Sequence, residues 1–189
     1  MPPKVKVTKQ MILDAAFQIV RFEGCEGLSA RRIAEALACS TQPVLYQYRT
    51  VNEIRAEVYR VADEYHSSFI LPKENEENPF LALGLNYVRF GYEEKNLFRF
   101  LFQSNQFEGQ NLSSLVTDPS AVPLINILTE AVGCTTEMAR ELFVTFFVAV
   151  HGYASLLANN AMEYHEAECK KILEHLFNGL ITCQGEEIL

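Results

Sequence analysis

A chain of 189 residues, 49% of them hydrophobic and 13 of them phenylalanine, has material for a large core in one elongated helical domain or two small ones. Its formal charge of −8 is unevenly divided: residues 1–60 hold nine Lys/Arg against six Asp/Glu, a balance of +3, and residues 61–189 hold seven against eighteen, −11. Five cysteines without a CxxC motif or a Cys/His cluster argue against a disulfide framework and a metal site, and for a reducing cytoplasmic setting with no bound cofactor.

Residues 1–7 read as a short basic arm, not a secretory signal, whose Lys4 and Lys6, with Lys9 just beyond, could meet phosphates or a minor groove. Thr8 is placed to cap a first helix with Ile12, Ala15, Ala16, Ile19 and Val20 on one stripe, and Gly24 to stop it. Gly27 gives a second bend.

From Leu28 to Arg49 the spacing predicts two short helices and a turn. Ser29 is the N-cap of the first, with Ala30, Ile33, Ala34 and Leu37 inward and Arg31, Arg32 and Glu35 outward. Ala38-Cys39 forms the corner. Ser40 caps the second helix, where Pro43 sits harmlessly in the first turn. Val44, Leu45 and Tyr48 are expected to pack inward, leaving Thr41, Gln42, Tyr46 and Gln47 as an outer face suited to base edges and phosphates. A merely solvated polar face would read the same way.

Thr50-Val51-Asn52-Glu53 has the form of a capping box, opening a helix with Ile54, Val58, Val61, Ala62 and Tyr65 on one face that runs to about residues 69–71 before Pro72. The charged linker PKENEEN follows; then Asn78-Pro79 starts a helix through about Glu94 with Leu83, Tyr87, Phe90 and Gly91 on a shared face. Leu97–Phe102 (LFRFLF) reads as core, and residues 103–118 as polar and irregular or a short turn of helix. Residues 119–132 should be helical with Val122, Ile125 and Leu128 inward, ended by Gly133. The next helix, from Thr135 or Thr136 to about Ala158, is apolar nearly all round; its apolar run, Leu142–Ala158, looks too short and too polar for a membrane span and better suited to burial. The last helix, about Glu163–Leu180, has Cys169, Ile172, Leu173, Leu176, Phe177, Leu180 and Ile181 at helical spacing. These last two helices are expected to meet their copies in a four-helix bundle.

The order of elements and the run Ile33-Ala34, Ser40-Thr41-Gln42-Pro43, Tyr48, Glu53-Ile54 resemble the TetR family of transcriptional regulators, chiefly over the first sixty residues. Val150-His151-Gly152, Tyr87–Phe90 and Leu97–Phe102 are similar to one subgroup of effector domains. The chain departs from the family pattern at Ala38, where a glycine is usual; at Leu45, where a tyrosine is usual and whose role Tyr46 takes; and at Val51, where a lysine is common.

The resemblance implies an all-α homodimer: residues 1–50 a helix-turn-helix DNA-binding domain, and residues 51–189 a ligand-binding and dimerisation domain joined to it by the helix from about 51 to 71. It implies groove-reading by Thr41, Gln42, Pro43, Val44, Tyr46 and Gln47, with Ser29, Ser40, Tyr48 and Arg49 on the DNA backbone. It also implies a repressor of a pseudo-palindromic operator, released by a small-molecule effector held by Tyr87, Phe90, Phe98, Phe102, Phe146, Phe147 and His151, with Arg89 or Arg99 as counter-charge. By linkage, such an effector would loosen DNA by the same factor by which DNA loosens it. An enzyme is the rival reading, with His151 and Cys169 or Glu166 as its nearest approach to a catalytic set; a Gly-rich phosphate loop, a nucleophile elbow and paired carboxylates are missing. A helical interaction module that never touches DNA is the third.

Overall fold

A computed structural model of the chain describes residues 7–103, 111–115, 117 and 119–186; Lys4 and Lys6 of the basic arm lie outside it. Among the described residues the regular structure is helical, without strands. The helices are α1 (Lys9–Glu23), α2 (Ala30–Ala36), α3 (Thr41–Gln47), α4 (Val51–Ile70), α5 (Pro79–Glu93), α6 (Lys95–Phe102), α7 (Leu112–Leu115), α8 (Val122–Val132), α9 (Thr136–Asn159) and α10 (Glu166–Glu186). Packing sorts them into two compact units, Met1–Ser67 with Glu94–Gln106, and Ser68–Glu93 with Phe107–Leu189.

Local chemistry sets most of the boundaries. The hydroxyl of Thr8 accepts from Met11 N at 3.2 Å, that of Ser29 from Arg32 N at 3.1 Å and that of Thr135 from Met138 N at 3.3 Å, each satisfying a donor that the first helical turn leaves open. Asn78 does the same for Leu81 N at 3.0 Å, with Pro79 at the first helical position. Thr50 receives Glu53 N at 3.2 Å, and the Glu53 carboxylate reaches back to Arg49 N at 2.9 Å, one residue earlier than in a standard capping box. Gly24 ends α1 at φ +86°, a conformation that a side chain would oppose.

The first unit extends past a cut at residue 50. It takes in α4 as far as Ser67 and all of α6, because α6 packs on α1 and the sequence LFRFLF supplies core to the N-terminal helices. Val58 and Ala62 of α4 and Leu97, Phe98 and Leu101 of α6 are wholly buried. One polar cluster crosses this core. Arg21 Nε donates to Glu94 Oε2 at 2.8 Å and its Nη2 pairs with Oε1, while the Tyr65 hydroxyl donates to Oε1 at 2.9 Å and Asn96 Nδ2 to Arg21 O at 3.1 Å. A buried carboxylate is tolerable only with such a set of donors.

In the second unit α5 lies against α8, α9 and α10, and α9 also against α8 and α10. By length and composition α9 is long and apolar enough to cross a membrane, so the expectation that it is too short does not hold. Eight of its residues, Ala139 to Ala158, are nevertheless buried within this unit. Cover comes from one side only. Val148 and Leu156 stay about half exposed, as does Ile172 of α10, which was expected inward; Cys169, Leu173 and Phe177 already fill that helix's buried line. Val122 is exposed too, because Ile125 and Leu128 suffice to seat α8.

The approach of α5 to α9 depends on glycine. A Cβ on Gly91 would lie 2.8 Å from Ala154 Cβ and 2.9 Å from Ala154 O, and one on Gly84 2.7 Å from the Phe146 ring. Gly91→Ala is therefore expected to force the two helices apart and to lower the unfolding free energy by about 1–3 kcal/mol. Thermal and urea unfolding followed by circular dichroism measure this, and an unchanged midpoint would contradict it.

Candidate functional site

Helix α3 has seven residues, too few to hold a conformation alone, so its direction depends on what it packs against. Val44 is wholly buried and Tyr48, at its C-terminal boundary, is 2% exposed; one turn apart, they form a single inward line on the first unit's core. The Tyr48 hydroxyl donates to Glu57 Oε2 on α4 at 2.8 Å, and Lys9 at the start of α1 pairs with the other carboxylate oxygen. Lys9 Nζ also lies 4.8 Å from the centre of the Tyr48 ring. Three helices thus meet at one carboxylate. The bond from Lys9, then that from Tyr48, hold the Glu57 carboxyl below its ordinary pKa, while burial above all raises that of the Tyr48 phenol.

The corner between α2 and α3 is tight. Leu37 N, Ala38 N and Cys39 N bond back to Ile33 O, Glu35 O and Ala34 O at 3.0, 3.1 and 2.9 Å. Ala38 adopts φ +49°, the left-handed conformation that glycine takes at little cost and alanine at about 1 kcal/mol.

Exposure on α3 follows from this seating. Thr41, Gln42, Leu45 and Tyr46 are exposed at the spacing i, i+1, i+4 and i+5, a single helical face; Arg49, also exposed, lies past the end of the helix, after Tyr48 in extended backbone. Leu45 was expected inward; at 49% exposed it stands on this outer face beside Tyr46, at 87%. The inward line through Val44 and Tyr48 leaves no room for it, since one residue along a helix turns the side chain by about 100°.

Of the residues expected to read a groove, Val44 is thus turned into the core and Pro43 is half-buried. Gln47 is also half-buried, its amide 3.5 Å from Val7 O. Ser40 stands at the N-cap of α3, but its side chain makes no capping bond; Ser29 spends its hydroxyl on Arg32 N, and Tyr48 its own on Glu57. The cations of α2 are committed. Arg32 binds Glu23 through Nε at 2.9 Å and Nη2 at 2.6 Å, and Arg31 Nε bonds Glu35 at 3.1 Å.

The residues expected around an effector divide between the units. Phe98 and Phe102 belong to the first, 5.1 Å apart between ring centres, with Phe98 wholly buried and Phe102 beside His66. Tyr87, Phe90, Phe146, Phe147 and His151 belong to the second. There Tyr87 Oη and His151 Nδ1 are 2.9 Å apart, with the Phe147 ring 5.9 Å from that of Tyr87 and 5.5 Å from that of His151. Burial lowers the pKa of His151 and raises that of Tyr87, so both groups are uncharged at neutral pH. Phe90 packs edge-on to Phe69, and Phe146 against Phe80. Arg89 lies over the Phe69 ring and 3.8 Å from Glu93, and Arg99 bonds Asn96 at 3.3 Å.

A model of the tetracyclin repressor-like C-terminal domain matches residues 80–180, just over half of the chain. The chain belongs to the TetR family. A comparison with curated proteins returns no match. The matched span runs through α5, α6, α8, α9 and most of α10, so membership rests on the part of the chain opposite in sequence to the helix-turn-helix motif.

Sequence reasoning missed Glu57 and Glu94 as fixing points. Both are paired with residues of other elements, nine to 73 positions away, a pairing that a single sequence does not signal. Tyr48→Phe is expected to lower stability by about 1 kcal/mol, the scale of one hydrogen bond to a carboxylate that is partly exposed. Glu57→Gln should destabilise at pH 7. Because the folded state holds the Glu57 carboxyl below its ordinary pKa, that stabilisation is present above about pH 4.3 and is lost as the pH falls through the folded value. Melting curves of wild type and Glu57→Gln should therefore converge in acid; a difference that persists below the folded pKa would contradict this.

Proposed function

We propose that this TetR-family protein is a DNA-binding transcriptional repressor that acts as a homodimer on a pseudo-palindromic operator and is released by a small molecule bound in its second unit. The observation that carries the reading is the outer face of α3. Two hydrogen-bonding groups, Thr41 and Gln42, lie at its start, on a helix whose opposite line is buried, and a cation, Arg49, is exposed two residues past its end. In a helix-turn-helix the N-terminal part of the second helix enters the major groove, where amides and hydroxyls can read base edges and cations meet phosphates.

Supporting the dimer, Val148, Gly152 and Leu156 form an exposed line of small and apolar groups along α9 at i, i+4 and i+8, and α10 adds Ile172 and Gly179. Uncovered apolar surface of this kind suits a second copy of the same helices. Supporting the effector, the Tyr87–His151 pair is an uncharged hydrogen-bonding handle beside the Phe147 ring, a composition suited to a largely apolar ligand with one polar group. Helix α4 runs from the helix-turn-helix into the second unit, so a ligand that prefers one setting of α4 changes the spacing of the two reading helices.

Affinity for duplex DNA, measured against salt, tests the reading. Log K should fall linearly with log salt at about 0.9 per phosphate neutralised, and Arg49→Ala should reduce that slope by about 2 in a dimer, one contact from each protomer. Gln42→Ala should leave the slope intact and cost about 1–3 kcal/mol on the preferred sequence alone. A slope unaffected by Arg49→Ala, or no binding to any duplex, would contradict the proposal.

A further inference from the structure

The charged segment between α4 and α5 walls a groove. Residues 75–78 form one side of it and α10 the other, its volume is about 500 Å³, and it lies wholly within the second unit. Its lining changes character with depth. Leu81 and Phe177 are buried and Leu85 is half-buried, whereas Glu76, Glu77, Lys170 and Asn178 are exposed. A concave site of this size, apolar below and polar at its mouth, has the composition of a small-molecule pocket. Tyr87 and His151 do not line it, so it is separate from the effector site proposed above.

Charge decides what fits. Among the described residues the lining carries three carboxylates, Glu76 and Glu77 on the loop and Glu174 on α10, against one ammonium, Lys170, a balance of −2. Lys170 Nζ stands 3.8 Å from Glu174 Oε1, beyond hydrogen-bond reach. The N-terminus of α5, which would favour an anion, already has its cap in Asn78. A cleft with low-dielectric walls concentrates the field of such charges and draws cations into it. A bare metal ion needs several converging oxygens, and Leu81, Leu85 and Phe177 offer none. Carboxylates on two facing walls of an apolar groove suit instead a hydrocarbon body with a positive charge at each end. We infer that this groove binds an aliphatic diamine, doubly protonated, with one ammonium at Glu76 and Glu77, the other at Glu174, and its methylenes over Leu81, Leu85 and Phe177.

Isothermal titration calorimetry of the full-length protein tests this with diaminopropane, diaminopentane and diaminooctane, with pentylamine and pentanediol as the singly charged and uncharged analogues, and with magnesium chloride. Affinity should rise along the diamine series by up to about fourfold per methylene buried. Pentylamine should bind about fivefold more weakly than diaminopentane, the upper end for one exposed ion pair, and pentanediol should not bind measurably. Glu174→Gln should weaken diaminopentane by the same factor. Lys170→Met should tighten it, because the competing ammonium is gone. The Glu174 and Lys170 side chains are 43% and 58% exposed, so both variants fold, and their melting midpoints should match wild type.

No heat of binding with any diamine would overturn the inference. So would an affinity that stays flat along the series, or one that magnesium matches and displaces, which would make the groove an ordinary counter-ion surface. Glu174→Gln and Lys170→Met variants that both bind diaminopentane like wild type would place the diamine elsewhere on the chain and overturn it as well. The duplex-binding proposal stands or falls separately, because no residue of this groove takes part in it.

Discussion

The carboxylate of Glu57 governs the geometry of the N-terminal unit. A seven-residue helix with one fully buried side chain has little to resist rotation about its own axis. The hydrogen bond from Tyr48 supplies that resistance, because it ties the C-terminal end of α3 to α4, and Lys9 ties the same group to α1. With the helix held at its C-terminal end by a polar contact and along its length by Val44, the remaining faces have fixed directions. The identity of the outward residues is therefore a consequence of the inward ones.

A second polar anchor plays a comparable part deeper in the same unit. Glu94 is the first residue after α5, where the chain re-enters the first unit, and it receives Arg21 of α1 and Tyr65 of α4. Tyr65 in turn lies two residues before α4 leaves that unit. Both covalent passages are thus tied to α1 by one buried carboxylate, which makes the first unit a single body around its aromatic core.

Much of this was legible in the sequence, and the legible parts share a cause. Thr8, Ser29, Asn78, Thr135, Gly24 and Gly133 set helix ends through bonds or backbone angles within a few residues of themselves, and local chemistry is written locally. Thr41, Gln42, Tyr46 and Gln47 were placed outward by periodicity; the structure exposes the first three and half-buries Gln47. Leu45 and Ile172 were misplaced for one reason: each neighbours another apolar residue on its helix, and which of the pair is buried depends on the partner helix, not on the helix itself. The assignment of α6 to the first unit, and the pairing of Arg21 with Glu94, join residues more than seventy positions apart, a distance at which a single sequence carries no signal. The family membership itself was signalled by the N-terminal motif and is shown by residues 80–180, just over half of the chain.

The central claim is that two copies of a rigid first unit set the outer face of α3 into successive major grooves. Hydroxyl-radical footprinting of the full-length protein on its preferred duplex tests this most directly. The account predicts two protected patches, related by a two-fold axis and centred about one helical turn apart, roughly 34–36 Å. Both should weaken together when Tyr48→Phe loosens the seat of α3. A single protected patch, protection unrelated by symmetry, or no protection at concentrations that saturate binding would contradict it.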